Sequence, residues 1–197
     1  MNTQLLPRQA VATRSQNGRV RAAQSSARVT YRAGTPADAT ALDALIANHL
    51  EEGHLLARDL DELSVHAPRF IVALRRGRVV GCAELAPLSG VVAEVRSLVV
   101  DRQSRGLGIG SAMVSALQQR ARVGGFETLC AFTHDAGYFV RLGFSIVPHV
   151  WVPEKIAVDC HRCPQFRRCG QYAVVLPLRT PSQSRGGILI PLASLRG

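Results

Sequence analysis

Residues 98–110, Leu-Val-Val-Asp-Arg-Gln-Ser-Arg-Gly-Leu-Gly-Ile-Gly, run from an apolar strand through a basic turn into an apolar-periodic helix. Glycines at 106, 108 and 110 remove side chains where a backbone must approach a ligand. The first N–H groups of the following helix have no intrahelical partner and point toward an anion. Arg105 adds a cation. The chemistry this spacing offers is the seating of a pyrophosphate; a glycine-rich turn without ligand is the alternative. A P-loop requires Lys and then Ser or Thr after its glycines. Here Ser111 follows Gly110 directly, and the chain's only lysine is Lys155. A dinucleotide fingerprint requires a third glycine three positions after the second, within a first βα unit. Here the third comes after two positions, with strands upstream.

Cys160, Cys163 and Cys169 form a second constellation. Cys-x-x-Cys is half of an ordinary zinc site, and His161 or His149 could add a fourth ligand. The competing reading is reduced, half-buried thiols, and both stay open. Cys82 and Cys130 lie in apolar strands and read as core. Five cysteines with no sustained apolar segment behind the N-terminal basic residues imply a reducing, cytoplasmic setting.

The formal charge of +10 would suggest a nucleic-acid partner, but its location argues otherwise. Residues 1–28 hold five arginines and no acid, and residues 179–197 hold three more without an acid, leaving only +2 for residues 29–178. Neither nucleic acid nor membrane is expected as a partner, since no apolar run approaches the ~18 residues of a spanning helix. The expected organisation is a disordered basic tail over 1–28, one folded domain over 29–178, and a C-terminal tail over 179–197. A homodimer is left open.

Elements that must position these residues follow from periodicity. Residues 29–33 alternate as a strand, then Thr35-Pro36-Ala37-Asp38 reads as the opening of a helix. Its apolar stripe runs through Ala41, Leu42, Leu45, Ile46, His49 and Leu50, and Gly53 ends it. A short helix spans Asp59–Val65. Strands follow at Phe70–Leu74, Val79–Leu85 and Val91–Val100, then a helix over Gly108–Val123 that stops at Gly124-Gly125. Strand Glu127–Thr133, helix Ala136–Leu142 and strands Phe144–Val150 and Tyr172–Leu176 complete the order β-α-α-β-β-β-α-β-α-β-β.

That order, with Gln103-x-x-Gly106-x-Gly108 after Leu98-Val99-Val100 and Leu142-Gly143-Phe144 downstream, resembles the GNAT superfamily of N-acetyltransferases. The resemblance implies an α/β (α+β) fold: one GNAT-type domain with a mixed, mostly antiparallel central sheet and flanking helices. Its fourth and fifth strands splay apart to admit the pantetheine arm of acetyl-CoA. It implies acetyl-CoA as co-substrate, bound through Leu98, Val99, Val100, Gln103, Arg105, Gly106, Leu107, Gly108, Ile109 and Gly110.

A narrower resemblance is to N-acetylglutamate synthases, carried by Leu55-Leu56-Ala57-Arg58, Val80-Gly81-Cys82-Ala83-Glu84-Leu85 and Ala93-Glu94-Val95-Arg96-Ser97-Leu98. Val152-Pro153-Glu154-Lys155-Ile156 and the three-cysteine segment are similar to short members without a kinase domain. It implies acetyl transfer to the α-amine of L-glutamate, the first step of arginine biosynthesis. Glu94 would remove a proton from the amine, which is mostly protonated near neutrality. Its other reading is an exposed strand acid or an ion-pair partner. Backbone N–H groups around Leu98 and Val99 would meet the developing oxyanion. Thr133 aligns with a hydroxyl near the thioester, or caps the next helix. The resemblance places Arg58 against the substrate, a planar guanidinium suiting a carboxylate, with backbone groups of Leu56 and Ser97 beside it. Lys155, Arg96 and Arg168 are further candidates, or solvated surface cations. Phe139 stands where many relatives carry Tyr, and Tyr138, one residue earlier, is expected to face elsewhere. The rival readings are acetylation of another amine, such as glutamine or a protein N-terminus, and a non-catalytic acyl-CoA-binding module.

Overall fold

The computed structural model describes residues 28–52 and 55–179. Residues 1–27 of the expected tail over 1–28, residues 180–197 of that over 179–197, and Gly53 lie outside the described residues. Seven strands form one sheet: β1 (Thr30–Ala33), β2 (Phe70–Arg75), β3 (Arg78–Pro87), β4 (Val92–Val100), β5 (Thr128–Thr133), β6 (Ser145–Val147) and β7 (Tyr172–Pro177). Their spatial order is β1-β2-β3-β4-β5-β7-β6. All neighbours are antiparallel except β4 and β5, so the expected mixed, mostly antiparallel sheet is what forms.

Strand alternation sends successive side chains to opposite faces, and helices cover both. The longest helix, α3 (Ile109–Val123), buries Ile109, Met113, Val114, Leu117 and Ala121. These pack on Ala73, Ala83, Leu85, Val95, Leu129 and Val174. On the other face α1 (Ala39–Ala47) and α2 (Leu60–His66) lay Leu42, Ile46 and Leu63 over Phe70, Val72, Cys82 and Val99. Truncating a side chain as enclosed as Leu117 would cost about 2–5 kcal/mol.

Several boundaries differ from the sequence expectation for local reasons. Helix α1 stops at Ala47, because the His49 N–H bonds back to Ile46 O in a tightened turn. The imidazole Nδ1 of His49 donates to Leu45 O at 2.7 Å, and a 3-10 turn over Leu50–Glu52 follows. Helix α4 (Ala136–Val140) ends before Gly143, whose φ of +91° is left-handed. Strand β6 is three residues long, since Pro148 has no N–H to extend the ladder. A helix absent from the expected order, α5 (Pro153–Val158), opens with Pro153 in its first turn. The tip of β1 is pinned by Arg32, which clasps both Asp38 carboxylate oxygens at 2.7 and 2.8 Å.

Candidate active site

The site arises from a failure of pairing. Strands β4 and β5 are in register only at Val92–Thr128, Ala93–Leu129 and Glu94–Cys130, although β4 continues to Val100 and β5 to Thr133. Beyond Glu94 the two diverge, as the splay expectation required. On its other side β4 carries a bulge against β3, where the register shifts between Cys82–Val99 and Glu84–Arg96. Ser97 sits in this bulge at φ +49°, a left-handed conformation uncommon for serine. Bulges re-aim the backbone beside functional sites. The fork opens into a cavity of about 1140 Å³.

The glycine turn forms the upper end of that cavity. Asp101 caps a 3-10 turn over Arg102–Ser104, and Gly106 and Gly108 follow at φ +77° and +73°. A Cβ built at Gly106 or Gly108 would meet nothing within 4 Å, so both open onto free space. The first helical bond of α3 runs from the Ala112 N–H to Gly108 O, leaving the Ile109, Gly110 and Ser111 N–H groups ahead of the ladder. An anionic pyrophosphate fits this cradle, and acetyl-CoA would bring to it an activated acyl carbon at the far end of a flexible arm. Leu98, Val99, Val100, Arg105, Gly106, Gly108, Ile109 and Gly110 line the cavity; Gln103 and Leu107 are exposed on the turn and do not. Arg105 is engaged elsewhere, donating to Val100 O and gripping both Glu52 oxygens at 2.9 Å.

At the fork lies a closed group of four charges. Glu94, only 3% exposed, accepts from Arg96 Nη2 at 2.8 Å and from Lys155 Nζ at 2.8 and 2.9 Å on its two oxygens. Lys155 on α5 also reaches Asp159 at 2.8 Å, and Arg96 bonds the same Asp159 oxygen. Burial would raise the Asp159 carboxyl, but the Lys155 hydrogen bond and the charges of Arg96 and Lys155 outweigh it, and its pKa lies below the ordinary value. The ammonium of Lys155 lies 5.4 Å from the ring centre of Phe132. Glu94 is therefore a buried ion-pair partner facing the cavity, and the exposed-acid reading is excluded.

Arg58 also lines the cavity. Its Nη1 donates to Glu84 Oε2 and Ser97 Oγ, both at 2.9 Å, and its Nη2 to Glu62 Oε1 at 2.8 Å. The guanidinium is thus largely satisfied by the protein. Glu84 is fully buried in the middle of β3, and sequence reasoning gave it no role. A carboxylate inside the apolar run Val79–Leu85 was the available signal. Leu56 and Ser97 also line the cavity; Arg168 is exposed and does not.

Three further expectations need correction or decision. Thr133 lines the cavity, and its Oγ1 accepts the Asp135 N–H at 3.0 Å. It is not the cap of α4, because Asp135 fills that position by accepting from the Tyr138 N–H at 2.9 Å. Tyr138 does not face away: it lines the cavity beside Phe139, and its hydroxyl approaches so closely that a Cβ at Gly110 would come within 2.8 Å. The glycine at 110 admits that contact, which helical periodicity alone could not foresee. Cys160, Cys163 and Cys169 all border the cavity as free thiols. Among the described residues no three His, Cys, Asp or Glu side chains are placed to hold a metal ion, so the zinc reading gains no support. Nor is any described helix long and apolar enough to cross a membrane.

Residues 39–144 match the acetyltransferase (GNAT) family model. An uncharacterized N-acetyltransferase of Chlorobaculum tepidum is 32% identical over 142 residues, covering 72% of this chain and 92% of that protein. Among solved structures, N-acetylglutamate synthase from Neisseria gonorrhoeae, complexed with coenzyme A and N-acetyl-glutamate, superposes with a TM-score of 0.70 at 25% identity. That match covers 78% of this chain but only 36% of the neisserial one. Rv2747 from Mycobacterium tuberculosis, in complex with CoA and NLQ, gives a TM-score of 0.67 at 25% identity, covering 76% of this chain and 99% of that one. The forked sheet, the glycine cradle at its helix and these matches lead to one conclusion: the chain belongs to the GNAT family of acetyl-CoA-dependent N-acetyltransferases.

Proposed function

We propose that the chain transfers the acetyl group of acetyl-CoA to the α-amine of a free amino acid, with L-glutamate as acceptor, as in the first step of arginine biosynthesis. The observation that carries this reading is the presence, in one cavity, of Arg58 on one wall and the Glu94–Lys155 pair at the fork. The neisserial synthase, solved with N-acetyl-glutamate, supports the choice of acceptor.

In this reading the turn over 104–110 holds the pyrophosphate, and residues 98–100 flank the arm. Glu94 takes a proton from the acceptor ammonium, directly or through one water, freeing the nitrogen lone pair. As the new N–C bond forms and the C–S bond breaks, the Leu98 and Val99 N–H groups meet the charge gathering on the acyl oxygen, and the nitrogen's second proton passes to the departing thiolate. Thr133 Oγ1 stands near the reacting carbon. The departing thiolate has a parent pKa of about 8.5, so it leaves without a strong acid, and Phe139 in place of a tyrosine is no handicap. Arg58, Lys155, Ser97 and the backbone of Leu56 hold the acceptor's carboxylates.

Glutamine is the second acceptor to consider, because Arg58 already meets two carboxylates, Glu62 and Glu84. The deciding experiment is free-thiol release from acetyl-CoA across a panel of amino acids. Glutamate should lead, with glutamine next. Release with no amino acid at all would remove the reading.

A further inference from the structure

The carboxylates on Arg58 are not equivalent. Glu84 takes the Nη1 edge from inside the sheet, and its side chain is 1% exposed. Glu62 takes the other edge side-on, with Nη2 to Oε1 at 2.8 Å and Nε to Oε2 at 3.4 Å. This Nε–Nη2 edge is the fork that binds a carboxylate with two parallel hydrogen bonds. The Glu62 side chain is 39% exposed and lines the cavity, whereas Glu84 does not reach it. Its backbone is anchored independently, since Asp59 Oδ1 caps α2 by accepting the Glu62 N–H at 3.1 Å. The carboxylate can therefore rotate into solvent without disturbing the helix. Glu84 cannot move.

We propose that Glu62 is an internal plug, a carboxylate of the protein's own that occupies the acceptor's seat on Arg58 and is displaced when the acceptor's carboxylate binds. The inference rests on the reading that the acceptor is a carboxylate-bearing amino acid. Glu84 keeps the guanidinium in place throughout, so the exchange swaps one carboxylate for another and leaves the net charge at Arg58 unchanged. Only an acceptor that reaches the fork with both oxygens competes well, which makes Glu62 a residue that determines specificity. His66 Nδ1, 3.4 Å from Glu62 Oε1 and 3.5 Å from Glu84 Oε1, stays beside Glu84 when Glu62 swings out.

The test uses the full chain and two variants, Glu62→Gln, which keeps the side chain's length, and Glu62→Ala, which vacates the fork. Glutarate, a dicarboxylate with no amine, is titrated calorimetrically into each, so binding is read without turnover. A half-exposed ion pair contributes little, and removing it should tighten glutarate by about two- to fivefold in Glu62→Ala. The Michaelis constant for the amino acid found in the panel should fall by the same factor, with that for acetyl-CoA unmoved. Equal or weaker glutarate binding in both variants overturns the plug. So does glutarate binding by none of the three proteins. If the wild type turns over no amino acid but glutarate still binds more tightly to Glu62→Ala, the acceptor assignment fails and the plug stands.

Discussion

Removing Arg58 should damage the fold before it reports on any substrate. The Glu84 carboxylate is 1% exposed, and among the described residues its one hydrogen bond comes from Arg58 at 2.9 Å. The His66 imidazole lies 3.5 Å away. Replacing Arg58 by methionine therefore strands a buried charge, and breaking a buried pair in this way costs about 3–5 kcal/mol. With a urea dependence of about 2 kcal/mol per molar, the unfolding midpoint should drop by roughly 2 M. Glu84→Leu should cost less, because Arg58 keeps Glu62, Ser97 and contact with the open cavity. The double variant Arg58→Met/Glu84→Leu removes both charges and should recover to within about 1 kcal/mol of the wild type, as apolar replacement of whole buried pairs often does. Urea unfolding of the four proteins measures all of this. An Arg58→Met variant as stable as the wild type, or a double variant no better than Arg58→Met, would refute the reasoning.

The other predictions concern separate parts of the molecule. Glu94→Gln should bind acetyl-CoA normally while turnover falls by about 10²–10⁴-fold, the loss shrinking at high pH where the acceptor amine is already free; near-normal turnover at neutral pH would withdraw the base. Gly108→Val places a branched side chain in open space at φ +73° and should weaken acetyl-CoA binding in calorimetry, with some loss of stability from the left-handed backbone; unchanged affinity would remove the cradle. The Arg32 hydrogen bonds hold the Asp38 carboxyl well below the usual range. The stability advantage of wild type over Asp38→Asn should accordingly be full above about pH 4 and be lost as pH falls toward the depressed folded-state value, which acid titration of the unfolding midpoint would test. Burial pushes the Cys82 thiol up to about 12 and raises Cys130 too, so a thiol reagent at neutral pH should modify Cys160, Cys163 and Cys169 first, with the other two reacting only on unfolding; five equal rates would contradict the packing.

Local rules determined much of this protein. Among the described residues, alternation and helical periodicity placed the seven strands and four of the five α-helices in order, because each must bury one face. The cradle was legible for the same reason: a positive φ and an open helix start each require glycine at a fixed position. The fifth helix was missed although Pro153 and Glu154 carry a helix-start signal, because six residues give too little periodicity to register. Side-chain partnership was beyond sequence reasoning. Glu94 and Lys155 are 61 residues apart and Arg58 and Glu84 are 26 apart, and no spacing rule links such pairs. Their meeting is decided by where β4 leaves β5 and by how the Ser97 bulge turns that strand. The same geometry brought Tyr138 onto Gly110, and it divided the two edges of Arg58 between a buried acid and a partly exposed one. A charged residue's chemistry depends on its distance to other charges and its access to water, and both are properties of the folded chain.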